Sequence, residues 1–240
     1  MKLRHYTLLL SLVFISALSQ PVIAQEAPEP VTIGGVWSSV VTDYSLSSKW
    51  MLRNELRYRT AQFFDDKQQS LIRPSVHYTF SPGFGLSAGI TFSDNAAYDA
   101  SGFTVGGTEI NIYEDIYLNH GEGKWSFNHR YRFEHRWITQ PSGEEIYRNR
   151  FRYRVQVGYA IADLNGGKLK AIMYNEIFIN LFNDFTSNGY DRDWTGLGLV
   201  APICSGLTGT VAVQQNWVLR PTDIYERQRL LLLSLGWKIK

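Results

Sequence analysis

Charged and apolar residues alternate along much of the chain between residues 50 and 154. The clearest example is residues 130–136, with the sequence RYRFEHR, in which even positions are charged and odd positions carry a ring. Because successive side chains of a β-strand point to opposite faces, this pattern predicts strands with one charged and one apolar face. A soluble sheet buries its apolar face, whereas a transmembrane barrel presents that face to lipid and encloses the charged one.

Eleven strand-like segments follow one another without a domain boundary. They cover residues 36–44, 50–59, 71–80, 86–94, 110–119, 125–138, 148–160, 170–181, 192–201, 207–218 and 229–239. Longer connections at 60–70, 95–109 and 182–191 alternate with short turns, as in outer-membrane barrels. Single-chain bacterial barrels usually have an even number of strands, so we expect twelve rather than ten, with an additional or split strand near the N-terminus.

The composition favours the same fold class. Aromatic residues make up 14% of the chain, whereas Met occurs 3 times and Cys only once, at Cys204. Beyond the N-terminus, no stretch supplies the roughly 20 apolar residues of a membrane-spanning helix. We therefore predict an all-β chain that forms an antiparallel, up-and-down transmembrane β-barrel. It is expected to have about 10–12 strands, a charged lumen and an apolar, aromatic exterior.

The N-terminus has the features of a secretory signal peptide. Lys2 and Arg4 precede an apolar run at residues 8–18, and small and apolar residues lead to a predicted cleavage site near Ala24. The expected organisation is a signal peptide at 1–24, an N-terminal lead at 25–35 and a single barrel domain at 36–240. The expected location is the cell outer membrane.

The signal peptide also accounts for the net charge of +2, because it contains two basic residues and no acidic ones. The remaining chain has 22 basic and 22 acidic side chains. Its net charge therefore gives no indication of a nucleic-acid partner, although charge is strongly segregated within the strands.

Arginines outnumber glutamates on the charged parity of the strands. The predicted lumen network consists of Arg53, Glu55, Arg57, Arg59, Arg73, Arg130, Arg132, Glu134, Arg136, Arg148, Arg150, Arg152, Arg154, Glu176 and Arg192. The three glutamates are the expected partners of arginines on adjacent strands. Much of the other acidic charge, including Asp191, falls in predicted loops or at strand ends. Two interpretations remain open: a bracing network that closes the lumen, or an arginine-lined path for anions.

Signatures of enzymes and of metal sites are poor. His77 shares its parity with Ser75 and Thr79 and is the best catalytic candidate, but a polar lining residue is the simpler interpretation. His129 and His135 lie on the apolar parity, and His120 lies in a predicted turn. The spacing of histidines and the single cysteine predict no metal site, and no motif calls for a cofactor.

Several short motifs resemble a known bacterial family, the domain of unknown function 2490. They are LRNELR at 52–57, IRP at 72–74, RYRFEHR at 130–136, RFRY at 150–153 and NEIFIN at 175–180. The resemblance covers nearly the whole mature chain and implies an outer-membrane β-barrel without an established activity. The resemblance also implies a basic residue at the position where this chain has Trp194. Arg192, which has the same parity, is the candidate to replace that basic residue.

Three hypotheses about function follow. The first is a non-enzymatic outer-membrane barrel, either structural or a narrow pore that favours anions. The second is a barrel enzyme that acts on envelope lipids, and the third is a soluble periplasmic barrel that binds an apolar ligand between inward-facing aromatic side chains. The expected partners under the first hypothesis are outer-membrane lipid, the barrel-assembly machinery and small anionic solutes.

Overall fold

The computed structural model describes residues 31–99, 102–181, 189–219 and 225–239. The predicted signal peptide and residues 25–30 of the predicted lead lie outside these ranges. Nearly all described residues belong to β-strands, which confirms the all-β prediction. The strands are β1 (Val31–Ser45), β2 (Trp50–Ala61), β3 (Asp66–Ser81), β4 (Phe84–Asp99), β5 (Gly102–Glu122), β6 (Trp125–Thr139), β7 (Glu145–Leu164), β8 (Gly167–Leu181), β9 (Tyr190–Cys204), β10 (Leu207–Leu219) and β11 (Tyr225–Ile239).

The strands form one closed barrel in chain order. Consecutive strands are antiparallel, whereas β1 and β11 pair in parallel from Val31 opposite Glu226 to Tyr44 opposite Ile239. The predicted range of strand numbers is confirmed, but the preference for twelve is not, because the described ranges contain eleven. An odd number closes here because the first and last strands run in the same direction and complete a parallel ladder.

The strands are longer than the apolar alternation indicates. β1 starts at Val31, within the predicted lead, and β4 and β5 extend through most of the predicted loop at 95–109. Polar and glycine residues there still pair their backbones across the hairpin, for example Asp99 with Gly102. Backbone pairing therefore continues where the alternation of side chains has ended.

Short turns gather at one end of the barrel, which we call the turn end; the other end is the loop end. One turn-end connection is the pair Asn165 and Gly166 between β7 and β8, with φ angles of 49° and 76°. Two positive φ angles are what a two-residue type I′ hairpin requires, and Asn-Gly is the sequence that adopts them most readily. The sequence thus sets the register of this hairpin locally.

The barrel exposes its apolar side and buries its charged side. Side chains such as Leu56 at 47%, Leu199 at 49% and Val213 at 60% are exposed on the outer face, although they lie in the middle of paired strands. Glu134 and Glu176, whose side chains point to the inside of the barrel, are each only 1% exposed. This distribution is the reverse of that in a soluble sheet and is typical of a barrel surrounded by lipid.

Aromatic side chains pair on the outer face towards both ends of the barrel. Near the turn end, the rings of Trp50 and Tyr78 lie 4.6 Å apart, and Lys49 lies 6.0 Å from the Tyr78 ring. Towards the loop end, Trp137 and Tyr147 pair at 5.2 Å. Such girdles mark the two membrane interfaces of transmembrane barrels. No helix among the described residues is long and apolar enough to cross a membrane.

Candidate functional site: the charged interior of the barrel

The centre of the interior is a chain of ion pairs across β6, β7 and β8. Glu134 accepts hydrogen bonds from Arg150 Nε and from Arg152 Nη1, each at 2.7 Å. Arg152 also donates from Nε to Glu176 at 2.8 Å, and Arg130 donates to the same carboxylate at 2.5 Å. The alternation directs all five side chains inward, and the strand register brings them to neighbouring positions. Each carboxylate therefore joins two arginines.

Asp115 on β5 completes this layer, although it is not among the predicted lumen residues. Arg132 binds it through two hydrogen bonds, at 2.7 and 2.8 Å, and Tyr117 donates to it at 2.8 Å. The Arg132 guanidinium also lies 3.8 Å from the centre of the Tyr113 ring. The alternation along β5 could have predicted that Asp115 points inward. Tyr113, Asp115 and Tyr117 occupy odd positions and therefore one face of the strand, whereas Ile112 lies on the opposite face.

A second group of pairs lies on β1, β2 and β3. Glu55 accepts hydrogen bonds from Arg57 and from Arg73, the latter at 3.2 Å. Arg53 does not reach a glutamate; it binds Asp43 on β1 through two hydrogen bonds, at 2.6 and 2.8 Å. The expected partner of Arg53 was therefore wrong, because a cross-strand aspartate lies directly opposite it.

At the loop end, Arg136 binds Glu109 at 2.7 and 2.8 Å. Asp191 accepts from Arg150 at 3.0 Å and also pairs with Arg192. Asp191 lies at the start of β9, as predicted, but an irregularity in the pairing of β8 with β9 turns its carboxylate towards the interior. Arg148 lies opposite Arg136 on β7 and is exposed.

The wall formed by β8 to β11 is less charged. Phe178, Trp194 and Leu230 of this wall form a buried apolar cluster with Trp37 of β1. Beside it, Tyr174 donates to Gln214, and a row of amides continues the network. Gln214 donates to Asn216 at 2.6 Å, and Asn216 donates to Gln228 at 2.8 Å.

Aromatic faces also support two interior arginines. The guanidinium of Arg152 lies 4.3 Å from the Phe178 ring centre, and that of Arg154 lies 4.2 Å from the Tyr174 ring centre. Arg154 donates in addition to Gln156 at 2.8 Å. Cation–π contacts of this kind stabilise a guanidinium away from bulk water.

Accessibility falls steeply from the ends of the barrel to its centre. The side chains of Arg53 and Arg192, on opposite sides of the central layer, are 34% and 30% exposed. In between, Asp115, Glu134 and Glu176 are each 1% exposed. The interior therefore has a solvent-accessible recess at each end and a packed layer between them.

His77 lies on the inner face and contacts Ser75, with 3.0 Å between Ser75 Oγ and His77 Nε2. Within the described ranges, no carboxylate forms a hydrogen bond to His77 that would orient it as in a catalytic triad. His120 belongs to β5 rather than to a turn and stacks on Phe127 at 4.9 Å and on His129 at 5.5 Å. The described residues contain no group of three His, Cys, Asp or Glu side chains that could hold a metal ion.

A family model described as "Protein of unknown function (DUF2490)" matches residues 34–227, which is most of the barrel. The chain belongs to this family. The resemblance of the short strand motifs is thereby confirmed, and the DUF2490 match includes every strand that contributes to the central ion pairs. No curated protein matches the sequence.

Two solved structures are similar to this DUF2490 barrel. The NanC porin is 13% identical, with a TM-score of 0.47, and the match covers 81% of this chain and 93% of that chain. The beta domain of the Bordetella autotransporter BrkA is 12% identical, with a TM-score of 0.42, and the match covers 72% of this chain and 79% of that chain.

Proposed function

We propose that this protein is a non-enzymatic outer-membrane β-barrel with a closed interior and that it acts as a rigid scaffold in that membrane. The observation that carries this proposal is the central layer around Asp115, Glu134 and Glu176, whose carboxylates are paired with arginines and sealed from solvent. A barrel braced in this way needs no apolar core, because charge-assisted hydrogen bonds hold neighbouring strands together.

The membrane location is supported by the outer face. Exposed apolar side chains cover the middle of the strands, and aromatic pairs lie near both ends. The hypothesis of a soluble barrel requires the aromatic faces to point inward, whereas most of them point outward. Outer-membrane lipid and the barrel-assembly machinery are therefore the partners we propose.

Cell fractionation tests the location. We expect the mature protein in the outer-membrane fraction, released only by detergent, with an unboiled gel band that shifts on heating. Folded protein recovered from the periplasm without detergent would contradict the proposal and favour a soluble ligand-binding barrel.

A narrow anion path is the second candidate function. It is favoured by the excess of arginines on the inner wall and by the partly exposed Arg53 and Arg192 in the two recesses. Conduction would require the central layer to open, and this layer is held by several shared ion pairs. Conductance of the inserted protein distinguishes the two candidates.

The enzyme hypothesis depends on His77. No carboxylate among the described residues orients His77 in its contact with Ser75, so we expect a His77→Ala variant to leave the composition of the envelope lipids unchanged. Lipid analysis of cells that express either form is the measurement. A change in lipid acylation or headgroup that depends on His77 would overturn the non-enzymatic proposal.

A further inference from the structure

Arg59 differs from the other buried arginines because no carboxylate among the described residues binds it. The side chain is only 8% exposed, and its Nε has no hydrogen-bond partner among the described residues. Its guanidinium carbon lies 3.9 Å from the centre of the Trp37 ring and 5.3 Å from that of Trp194. Stacking covers the faces of the guanidinium and leaves the N–H donors in its plane to be satisfied.

The surrounding charges do not neutralise Arg59. The charged groups that act on it most strongly are three arginines, Arg57, Arg73 and Arg152, against one carboxylate, Glu55. That carboxylate already accepts hydrogen bonds from Arg57 and Arg73. A buried cation without a counter-charge is strongly unfavourable, so this position favours an added negative charge.

Trp194 supplies a second unsatisfied donor in the same place. Its ring packs against Trp37 at 5.2 Å, and its Nε1 is buried without a hydrogen-bond partner among the described residues. Trp37 is different, because its own Nε1 donates to Gln68 at 2.9 Å. Two buried donors, one of them cationic, therefore adjoin a single aromatic pair.

We propose that Arg59 and Trp194 bind one small monovalent anion of the carboxylate class, of the size of formate or acetate. A carboxylate matches the planar donors of a guanidinium and has a second oxygen lone pair for an indole N–H. Phe178 and Leu230 belong to the same buried cluster as Trp37 and Trp194, so we expect room only for a small anion beside Arg59. This site goes beyond the scaffold role, because bracing the barrel requires no ligand.

Thermal unfolding of the detergent-solubilised protein tests the site. Sodium formate replaces sodium gluconate at constant ionic strength, gluconate being too bulky to enter. The variants are Arg59→Met, which removes the cation, and Trp194→Phe, which keeps an aromatic ring but removes the N–H. Arg136→Met is the matched control, because it removes an interior arginine that is paired with Glu109 at the loop end.

We expect formate to raise the unfolding temperature of the wild type saturably, because a ligand that binds only the folded state stabilises it. Arg59→Met should lose this response and, in gluconate, unfold at or above the wild-type temperature, since it no longer buries an unpaired charge. Trp194→Phe should bind formate about threefold to tenfold more weakly, and Arg136→Met should respond as the wild type.

Three outcomes would overturn the proposal. They are a wild type that unfolds at the same temperature in both salts, an Arg59→Met variant that keeps the formate response, and a Trp194→Phe variant with wild-type affinity. If Arg59→Met does not fold, crystals of the wild type grown in formate decide the matter: formate density between the two side chains supports the site, and its absence at saturating formate contradicts it.

Discussion

Glu134 shows how single residues brace this barrel. It is 1% exposed and accepts hydrogen bonds from Arg150 and Arg152, which also reach Asp191 and Glu176. Removing one buried carboxylate therefore leaves two guanidinium groups short of negative charge. The loss of stability comes mainly from the arginines, which remain buried without a charged partner.

Exchanging Glu134 for Gln should lower the free energy of unfolding by about 3–5 kcal/mol, because two buried arginines lose a charged partner. Glu144 lies exposed in the connection between β6 and β7, and its exchange for Gln should change stability by less than about 0.5 kcal/mol. Urea-induced unfolding in detergent micelles measures both. Equal destabilisation of the two variants would count against the bracing network.

Asp115 and Arg132 form the most buried two-point pair, so their energies should be coupled. We expect Asp115→Asn and Arg132→Met each to destabilise the barrel, and the double variant to cost about 1–3 kcal/mol less than the sum. Methionine keeps apolar contact with the Tyr113 ring that Arg132 covers. The same unfolding assay applies, and additive effects would mean that the two side chains act independently.

The sequence predicts which side chains point into the barrel, but not which of them pair. The alternation correctly directs Glu134 and Glu176 inward, because the face of a strand follows from parity alone. Parity gives no height along the barrel, so the pairs Arg53 with Asp43 and Arg132 with Asp115 could not be chosen in advance. Parity alone likewise cannot distinguish Arg59 from the arginines that have a carboxylate partner.

At the scale of elements, the contact between β1 and β11 decides how an odd number of strands closes. Both strands run towards the turn end, and Ser39 Oγ donates to Ser234 Oγ at 2.8 Å across the parallel ladder. The sequence predicted the individual strands well, since each carries its own alternation. It could not predict the closure, because an even-number rule describes most bacterial barrels but is not a physical requirement.

Cysteine cross-linking tests this closure. In a Cys204→Ser background, Ser39→Cys with Ser234→Cys should form an intramolecular disulfide under mild oxidation, because the two side chains already touch. The control pair, Ser38→Cys with Ser234→Cys, should not, since Ser38 points to the opposite face. Oxidised and reduced gel mobilities are compared, and cross-linking of the control pair alone would contradict the register.

Glu114 is a charged residue on the outer face of β5. Glu114 lies between Ile112 and Ile116 on the outward side of β5, with 54% of its side chain exposed, and its Oε2 is 3.7 Å from His135 Nε2. A charge on the lipid-facing side is unfavourable near the middle of the membrane.

We expect Glu114→Leu to stabilise the barrel in lipid vesicles by about 1–2 kcal/mol. Glu122→Leu, at the turn end, is the control and should change stability by less than about 0.5 kcal/mol. Unfolding by urea in vesicles is the measurement. Destabilisation by Glu114→Leu would show that its contact with His135 outweighs the cost of exposing it to lipid.

At the scale of the whole molecule, the barrel is inverted relative to a soluble protein. Apolar side chains face outward, and the interior is held by ion pairs, amides and a small aromatic cluster. The two recesses end at the same central layer. We therefore propose that water and ions do not pass through the barrel.

Conductance across a planar lipid bilayer tests this claim most directly. The mature protein is inserted, its folding is verified in the same preparation by a heat-modifiable gel band, and a known porin in the same lipid serves as the positive control. We expect no steady conductance above the bare membrane, because the layer around Asp115, Glu134 and Glu176 is buried. A steady, anion-preferring conductance from verified insertions would contradict it and establish an arginine-lined pore.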